Sequence, residues 1–182
     1  AQKGAKVVFG ALNYDTTVTG TNAGFFDVLE WALSSGRVFS DGEVRSGASV
    51  CVIGSTIVRE LFGAQDPMGE RLRVGSFSCE VIGILESKGQ SAFGTDQDNT
   101  VLLPLRTYQR RIAGNTRISS ISISVAESAD IPRVQAEAEQ ILRELRRVVR
   151  EQGYEAVRWD AEMIRDTMDD LPIVPPLPDG YT

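Results

Sequence analysis

The residues with the clearest chemical potential lie in the stretch GQSAFGTDQDNTVLLP, residues 89–104. Asp96 and Asp98 stand where the first two ligands of a calcium loop would stand, in the pattern D-x-[DN]-x-[DN]-G. Thr100 and Val101 then occupy the places of the third ligand and of the glycine that the turn of such a loop requires. The pattern therefore argues against a calcium-binding loop of this kind.

A phosphate-binding loop is the second chemistry to test in the same stretch. Gly89 and Gly94 have the spacing G-x-x-x-x-G, but Thr95 stands where the phosphate-binding lysine should follow. Asp96 and Asp98 would also repel a nucleotide. We therefore expect no ATP site in this chain.

The sequence contains few of the residues that nucleophilic or acid–base catalysis requires. The chain contains no histidine, which is the commonest general base and a frequent metal ligand. Cys51 and Cys79 have no basic neighbour in sequence that would favour a reactive thiolate. Asp96 and Asp98 remain as a carboxylate pair, but such pairs are common in acidic surface loops. We predict that this domain is not an enzyme by itself and has no catalytic set, cofactor or metal.

The loop is therefore interpreted as a shaped connection. Glycines permit sharp turns of the backbone, and aspartate and glutamine side chains can bond exposed backbone groups. Such a loop can hold one subdomain against another or present a polar surface to a partner. The residues predicted for this role, at a subdomain junction or a partner surface, are Gly89, Gln90, Asp96, Gln97 and Asp98.

Composition and charge restrict the classes of partner. The 182 residues carry a net charge of −6 and are 42% hydrophobic, as expected for a folded domain rather than a disordered chain. The negative charge argues against nucleic acid, which needs a basic face to neutralise its phosphates. No run approaches the roughly 18 apolar residues that span a bilayer, and no signal peptide is visible. We expect the chain as given not to cross a membrane.

The two cysteines leave two structural possibilities open. Cys51 and Cys79 each lie in a β-branched run, VCVIG and SCEVIGIL, where a small apolar thiol packs well. The favoured interpretation is a pair of buried free thiols. A bridge between neighbouring strands is the alternative, and it requires close Cα atoms.

The middle of the chain reads as short strands separated by turns. The strands are predicted over 48–54 (ASVCVIG), 71–75 (RLRVG), 77–86 (FSCEVIGILE) and 100–105 (TVLLPL). A glycine at the junction of the second and third, Gly75-Ser76, predicts a hairpin.

Two short helices are predicted between these strands. One follows Ser55, taken as its cap, through TIVRELFG to Gly63, and the other spans 106–114 (RTYQRRIAG) and ends at Gly114. Glycine at such ends suits a left-handed cap.

The two ends of the chain have a similar strand-then-helix layout. Residues 6–20 favour one or two strands, and Asn22 favours the cap of a helix over 23–33. Residues 118–126 (ISSISISVA) alternate strictly and predict a half-buried strand. A long amphipathic helix is predicted to begin at Asp130 and end at Gly153.

This layout predicts an α+β protein of two subdomains, with a smaller β-rich α/β subdomain inserted into an outer one. The outer subdomain comprises residues 1–36 and 118–165, and the inserted one residues 37–117. Residues 166–182 hold the proline-rich end and are predicted to be a linker or tail.

Several stretches together resemble the extracytoplasmic core domain of MacB-type ABC transporter permeases. They occur in the family's order over about residues 17–125: TVTGTNAGFFDVLEWALSSGRVFS, SVCVIGSTIVRELFGAQDPMGERLRV, CEVIGILESKGQSAFGTDQDNTVLLPL, TYQRRIAG and ISSISISV. The combination of LFG, DPMGE, VIGIL and the loop GQ…DQDN carries the resemblance.

The resemblance implies a porter-like outer part and a location on the periplasmic, extracytoplasmic face of the bacterial inner membrane. It implies transmembrane helices that this chain lacks, so the chain resembles a fragment of a permease. The partners implied are a cytoplasmic ATPase subunit or domain, a second permease copy, and a periplasmic adaptor with an outer-membrane channel.

The function implied is mechanotransmission, in which ATP hydrolysis inside the cell drives export or handling of a substrate outside the membrane. The alternative from another class is a stand-alone extracellular module that binds a peptide or small molecule. For the isolated domain we predict a monomer at micromolar concentration, because membrane tethering would supply the effective concentration for pairing.

Overall fold

The computed structural model describes residues 1–92, 94–125 and 130–151. The chain divides into two compact units, residues 1–119 and 120–182, which are described separately. Within the described residues, none of the helices combines the length and apolarity that a membrane span requires.

The first unit is built on one mixed sheet of seven strands. They are β1 (Gln2–Phe9), β2 (Leu12–Thr21), β3 (Leu33–Gly36), β4 (Val50–Ile53), β5 (Arg71–Val74), β6 (Phe77–Leu85) and β7 (Thr100–Pro104). Their order is β3-β6-β4-β7-β2-β1-β5, and β5 also pairs with β6. The sheet therefore closes on itself, with β3 added at the far end of β6.

The pairings mix local and distant partners. β1 with β2 and β5 with β6 are antiparallel hairpins. β2 pairs with β7 and β4 pairs with β6 in parallel, and strands paired in this way are joined by crossover connections and not by hairpins.

Four short helices connect the strands. They are α1 (Phe25–Val28), α2 (Asp41–Ser46), α3 (Ser55–Ile57) and α4 (Leu105–Tyr108). α3 and α4 each continue into a wider π-helical turn, over Val58–Phe62 and Gln109–Ala113 respectively.

Two hydrophobic clusters lie on opposite faces of the sheet. The cluster enclosed by the closed sheet draws residues from strands all round it, including Val7, Val18 and Leu72. The second cluster packs the outer face of the central strands, at Val52, against α1 and Phe39. Alternation along a strand places neighbouring residues in different clusters.

The two cysteines are joined, so the favoured interpretation of free thiols was wrong. Cys51 on β4 and Cys79 on β6 form a disulfide with Cα atoms 5.7 Å apart. The physical reason is register: the two strands are parallel neighbours, and Cys51 pairs with Val81, two residues beyond Cys79. The alternative interpretation, a bridge between neighbouring strands, is the one that the structure shows.

Several of the local predictions for the first unit are confirmed. Gly75, with φ +59°, and Ser76 form the two-residue turn between β5 and β6. TVLLP forms β7 over Thr100–Pro104, and Gly114 ends the turn after α4 in the left-handed conformation.

Two helix predictions were wrong in detail. The helix predicted over 23–33 has only the four residues of α1, because Leu33 instead pairs with Leu85 and begins β3. Ser55 lies within α3 rather than capping it, since Gly54 is the N-cap and no side chain bonds the helix start.

β1 and β2 come from the segment predicted for the outer subdomain, and they share the sheet with β4 to β7. The fold is mixed α and β, as predicted. The boundaries given for the two subdomains stay a prediction.

The strand predicted over 118–126, which begins at the end of the first unit, is not formed in residues 118–125. A strand needs a neighbour for its backbone groups, and none of the described residues pairs with this segment. Ile121 and Ile123 are 47% and 37% exposed. The alternation of apolar and polar residues was therefore not sufficient to predict a strand here.

The long helix is confirmed where the structure describes it. α5 spans Ile131–Glu151, directly after Asp130, and Arg143 donates to Glu139 at 2.6 Å as an i,i+4 pair. The predicted end at Gly153, and every prediction beyond it, lies outside the described residues.

Candidate functional site

The loop that joins β6 to β7 crosses the ends of two parallel strands. β4 and β6 run in the same direction. Their C-terminal ends therefore lie next to each other, and the loop lies beyond these ends. β4 ends before Gly54, and β6 ends before the loop itself begins.

Asp98 is the buried centre of this loop. Its side chain, in a residue only 3% exposed, accepts hydrogen bonds from the Ser87 hydroxyl and from the backbone N–H groups of Lys88 (2.8 Å) and Gly89 (3.1 Å). The carboxylate thus accepts hydrogen bonds from three consecutive residues shortly after the end of β6.

These contacts set the charge state of Asp98. Burial alone would raise its pKa, but the hydrogen bonds from Ser87, from the amides of Lys88 and Gly89 and from the Ser55 side chain together lower the pKa below the ordinary value of 3.8. Asp98 is therefore an ionised hydrogen-bond acceptor and lacks the proton that a general acid must give.

The backbone of Asp98 lies against the end of β4. A Cβ added to Gly54 would lie 2.1 Å from the Asp98 carbonyl oxygen and 2.9 Å from its carbonyl carbon. Only glycine permits this approach, because backbone atoms cannot move aside as the end of a flexible side chain can. The amide of Gly54 also donates to the Thr100 carbonyl at 2.9 Å.

Asp96 fastens the loop to the helix that follows β4. One carboxylate oxygen accepts from the Thr56 hydroxyl at 2.8 Å, and the other from the Asp98 amide at 2.9 Å. Arg59, one turn further along, donates to the same Thr56 hydroxyl oxygen at 3.4 Å. The two aspartates therefore serve different anchors and do not form a free carboxylate pair.

The tip of the loop is a miniature hairpin. Gln90 and Asp96 form an isolated bridge, and the Gln97 amide donates to the Gly89 carbonyl at 3.1 Å. Gly89, with φ +71°, makes the turn into this hairpin. Gln90 is exposed and Gln97 is half-buried, so the tip presents Gln90 to solvent.

Lys88 ties the loop to the segment after α1. Its ammonium group donates to the Leu29 carbonyl at 2.7 Å and lies 5.1 Å from the centroid of the Trp31 ring. The Trp31 indole donates in turn to the Glu86 carbonyl at 2.8 Å. This end of the loop is thereby fixed on a second side.

All five predicted site residues belong to this one loop, and in the structure they make different kinds of contact. Asp96 and Asp98 bind inward, Gly89 and Gln97 close the tip through backbone bonds, and Gln90 faces outward. Their role at a junction or partner surface stays a prediction.

Sequence reasoning missed the residues that receive the loop, above all Gly54, Thr56, Ser87 and Lys88. A glycine directly after a buried strand was the one available signal, since it often marks a close backbone approach. The partners Thr56 and Asp96 are 40 residues apart in sequence, a separation that no local pattern reveals.

The polar side chains of the loop between β6 and β7 bond neighbouring segments to one another, and we call this loop the brace. Its carboxylates are engaged with hydroxyl and amide donors, and the part of the chain that the structure describes contains no group of histidine, cysteine or acidic side chains placed to hold a metal ion. The arrangement joins the ends of β4 and β6 and the segments that follow them.

The fold is similar to that of two solved extracytoplasmic domains. The extracellular domain of the noncanonic ABC-type transporter YknZ from Gram-positive bacteria matches with a TM-score of 0.68 and 23% identity, covering 86% of this chain and 75% of that one. The periplasmic region of MacB from Actinobacillus actinomycetemcomitans matches with a TM-score of 0.61 and 22% identity, covering 93% and 73%.

Sequence similarity identifies the family. Residues 1–141 match the MacB-like periplasmic core domain, and the chain belongs to that family. It is thus the periplasmic domain of a MacB-like ABC transporter permease, on the extracytoplasmic side of the membrane, as the sequence motifs predicted.

Two relatives illustrate the extent of the match. The macrolide export ATP-binding/permease protein MacB of Rhodospirillum rubrum is 36% identical over 132 residues, which is 72% of this chain and 20% of the relative. The protein of the same name from Bdellovibrio bacteriovorus is 36% identical over 136 residues, 75% of this chain and 21% of the relative. The chain therefore spans about a fifth of the length of these relatives.

Proposed function

We propose that this domain transmits movement, driven by ATP hydrolysis in a cytoplasmic ATPase domain or subunit, to a substrate in the periplasm. The observation that carries the proposal is the fastening of β4 and β6 at both ends, by the Cys51–Cys79 disulfide near their starts and by Asp98 beyond their finishes. A body that passes on force must keep its shape, and two anchors on parallel strands resist sliding of one strand past the other.

The partners follow from this role and from the family. Transmembrane helices connect the domain to the ATPase, a second permease copy supplies the opposing domain, and a periplasmic adaptor with an outer-membrane channel receives the substrate. The relatives are named for macrolide export, so a macrolide is the first substrate to assay.

The subdomain arrangement belongs to the same proposal. The proposed division has a porter-like outer part, residues 1–36 and 118–165, and an inserted part, residues 37–117. Within the first unit, Lys88 of the loop contacts Leu29 of the outer part. Gln90 at the exposed tip, with the half-buried Gln97 beside it, is the surface that we assign to a partner.

The test uses the full-length transporter with Asp98→Asn, which keeps the side-chain shape and removes the charge. The expected result is that ATP hydrolysis by the purified transporter stays within about twofold of wild type while export per ATP hydrolysed falls at least about tenfold. Circular dichroism first confirms that the periplasmic domain of the variant is folded.

Gly4→Ala is the matched control, because a Cβ at Gly4 meets nothing within 4 Å and the strand position is far along the chain from the loop. Export per ATP that is equal in D98N and wild type, with the variant folded, would contradict the role of the brace in transmission.

A second pair of variants separates the exposed tip from the brace. Gln90→Ala removes the outward side chain without touching an inward hydrogen bond. If the tip contacts a partner, Q90A weakens binding of the adaptor to the full transporter while the stability of the domain is unchanged. Binding at wild-type strength would remove the tip from the partner surface.

A further inference from the structure

The disulfide is sealed inside the enclosed cluster of the first unit. Cys51 is 0% exposed and Cys79 is 1% exposed. Their side chains belong to the same buried cluster as Ile53, Leu72 and Val81. A second thiol that approached from solvent would not reach either sulfur in the folded domain.

The strands around the disulfide make this seal stronger than that of a bond at a sheet edge. Cys79 pairs with Leu72 of β5, and the next residue, Glu80, pairs with both Arg71 of β5 and Val50 of β4. β6 is therefore held on both sides where the bond lies. Exposing the sulfurs requires that β6 separate from its neighbours, which is a disruption of the sheet and not the fraying of an end.

Thiol–disulfide exchange has a geometric requirement that the folded domain does not meet. A thiolate must attack a disulfide sulfur directly and pass through a mixed disulfide between the two molecules. Here no mixed disulfide can form with a partner protein while the sheet is closed, since both sulfurs lie under packed side chains. The bond must therefore be made before the sheet closes.

We propose that the Cys51–Cys79 bond is installed by a thiol oxidase that carries a disulfide of its own and acts on the chain before it folds. One cysteine thiolate attacks the oxidase disulfide and releases one oxidase thiolate. The thiolate of the other cysteine then attacks the mixed disulfide at the chain's sulfur and releases the second. The chain loses two protons and two electrons, and the oxidase disulfide becomes two thiols. The periplasm holds such oxidising partners.

The same step needs no rearrangement afterwards. The chain of 182 residues contains two cysteines, so one intramolecular pairing exists and a wrong one cannot form within it. Within these 182 residues, a disulfide isomerase therefore has no wrong pairing to correct. This inference does not rest on the transport function proposed above.

The first test measures access to the bond in the 182-residue chain. Dithiothreitol is added to the native chain and to the chain in denaturant, and new thiols are counted by the mass added by a maleimide reagent. We expect reduction of the native chain to be at least about a thousandfold slower, because opening the sheet costs most of the folding free energy. A native rate within that factor of the denatured rate would overturn the proposal.

An exposed thiol on the same strand provides the control for the reagent. Ser78 is exposed on β6 beside Cys79, so Ser78→Cys in the native chain that keeps its Cys51–Cys79 bond must react with the maleimide at once. This shows that a slow reaction reflects burial and not the reagent.

The second test fixes the order of events and the class of partner. The reduced, denatured chain is diluted into buffer with a purified disulfide-carrying oxidase, or the oxidase is added only after folding is complete by near-ultraviolet circular dichroism. The bond is expected to form at least tenfold faster when the oxidase is present from the start, and an isomerase is expected to add nothing. Equal rates in a reduced chain that has folded, or a rate increased by the isomerase, would overturn the proposal. A reduced chain that never folds supports it, since the bond then must come first.

Discussion

Cys51 and Asp98 hold the same two parallel strands from opposite ends. Cys51 is bonded across from β4 to β6 near the start of the pair, and Asp98 lies against the end of β4 while its carboxylate binds the residues that follow β6. A disulfide and a hydrogen-bonded carboxylate therefore both hold β4 next to β6. Reduction would break the disulfide, and acid would protonate the carboxylate.

Asp98→Asn tests the electrostatic anchor. The amide keeps one acceptor oxygen and turns an NH2 group toward the donors of Ser87, Lys88 and Gly89, so at least one buried donor loses its partner. Hydrogen bonds to a charged group contribute about 1.5–3 kcal/mol, and we expect the free energy of unfolding in urea to fall by about 2 kcal/mol. Gln90→Ala, at the exposed tip, should change it by less than about 0.5 kcal/mol.

The same variant has a signature in pH. The pKa of Asp98 is lower in the folded chain than its ordinary value of 3.8, so the unfolded chain binds protons more readily and stability rises with pH. The contribution is present above pH 3.8 and is lost as the pH falls through the lower folded value. The difference between wild type and D98N should shrink over that acid range. A difference that stays constant with pH would mean that the charge of Asp98 does not stabilise the loop.

Gly54→Ala tests the close approach of the loop to β4. The added Cβ would lie 2.1 Å from the Asp98 carbonyl oxygen, so the loop must be displaced or β4 must shift. Overpacking of this kind costs about 1–3 kcal/mol, and we expect the upper end of that range in urea unfolding because the opposing atoms are backbone. Gly4→Ala, whose Cβ meets nothing within 4 Å, should leave the stability unchanged. Equal stability of G54A and G4A would refute the contact.

Glu43→Gln tests an ion pair that fixes the start of α2. Arg37 donates two hydrogen bonds of 2.8 Å to Glu43 and, with Ser40, lowers the pKa of Glu43 to about 2. Glutamine can still complete the capping box with Ser40, so the substitution removes chiefly the charge. Because the Arg37 side chain is 57% exposed, we expect a loss of only about 1 kcal/mol at pH 7.

The pH dependence of this variant also has a defined sign. The folded pKa of Glu43 lies below its ordinary value of 4.5, so the stabilisation is present above about pH 4.5 and is lost as the pH falls toward 2. Thermal unfolding of wild type and E43Q should therefore converge below about pH 2. Glu60→Gln, which breaks a surface pair with Arg59, is the control for loss of an exposed charge.

Glu30→Gly is expected to stabilise the domain. Glu30 is the one non-glycine residue with positive φ (+45°) in the described part of the chain, and it follows α1 where the Trp31 amide donates back to the Phe26 carbonyl at 2.8 Å. Glycine adopts this conformation without strain, and we expect a gain of up to about 1 kcal/mol after its greater chain entropy is deducted. Glu30→Ala keeps the strain and should bring no gain. A melting temperature of E30G at or below that of E30A would contradict this.

Local chemistry predicted the elements whose causes lie close in sequence. Gly75-Ser76 makes a hairpin because two residues suffice to turn the chain, and Gly114 ends its turn because glycine tolerates a left-handed cap. The family resemblance rested on motifs of this kind, and the family match over residues 1–141 confirms it.

The predictions that failed depend on contacts between distant residues. The helix after Asn22 is short because Leu33 finds Leu85 on β6, and the cysteines are joined because the register of β4 on β6 brings them within 5.7 Å. Neither register is encoded in a window of neighbouring residues. The alternation over 118–126 showed which faces a strand would have, but not whether a neighbouring strand is present.

For the candidate site too, the local features were predicted from the sequence and the contacts between distant residues were not. Its residues were predicted as one loop from glycine, aspartate and glutamine content. The inward direction of Asp98 was not predicted, because a buried carboxylate and an exposed one look alike in sequence until Gly54 and Ser87 are placed beside it.

The parallel pairing of β2 with β7 has a consequence for synthesis of the protein. Thr17 and Thr100, which face each other in that pairing, are 83 residues apart. Ribosomes add about 5–20 residues per second, so the β1–β2 hairpin waits about 4–17 seconds for β7 while one edge has no strand to pair with. Exposed strand edges recruit other chains, and closure of the sheet is therefore the step at which slow translation or crowded export would divert this domain into aggregates.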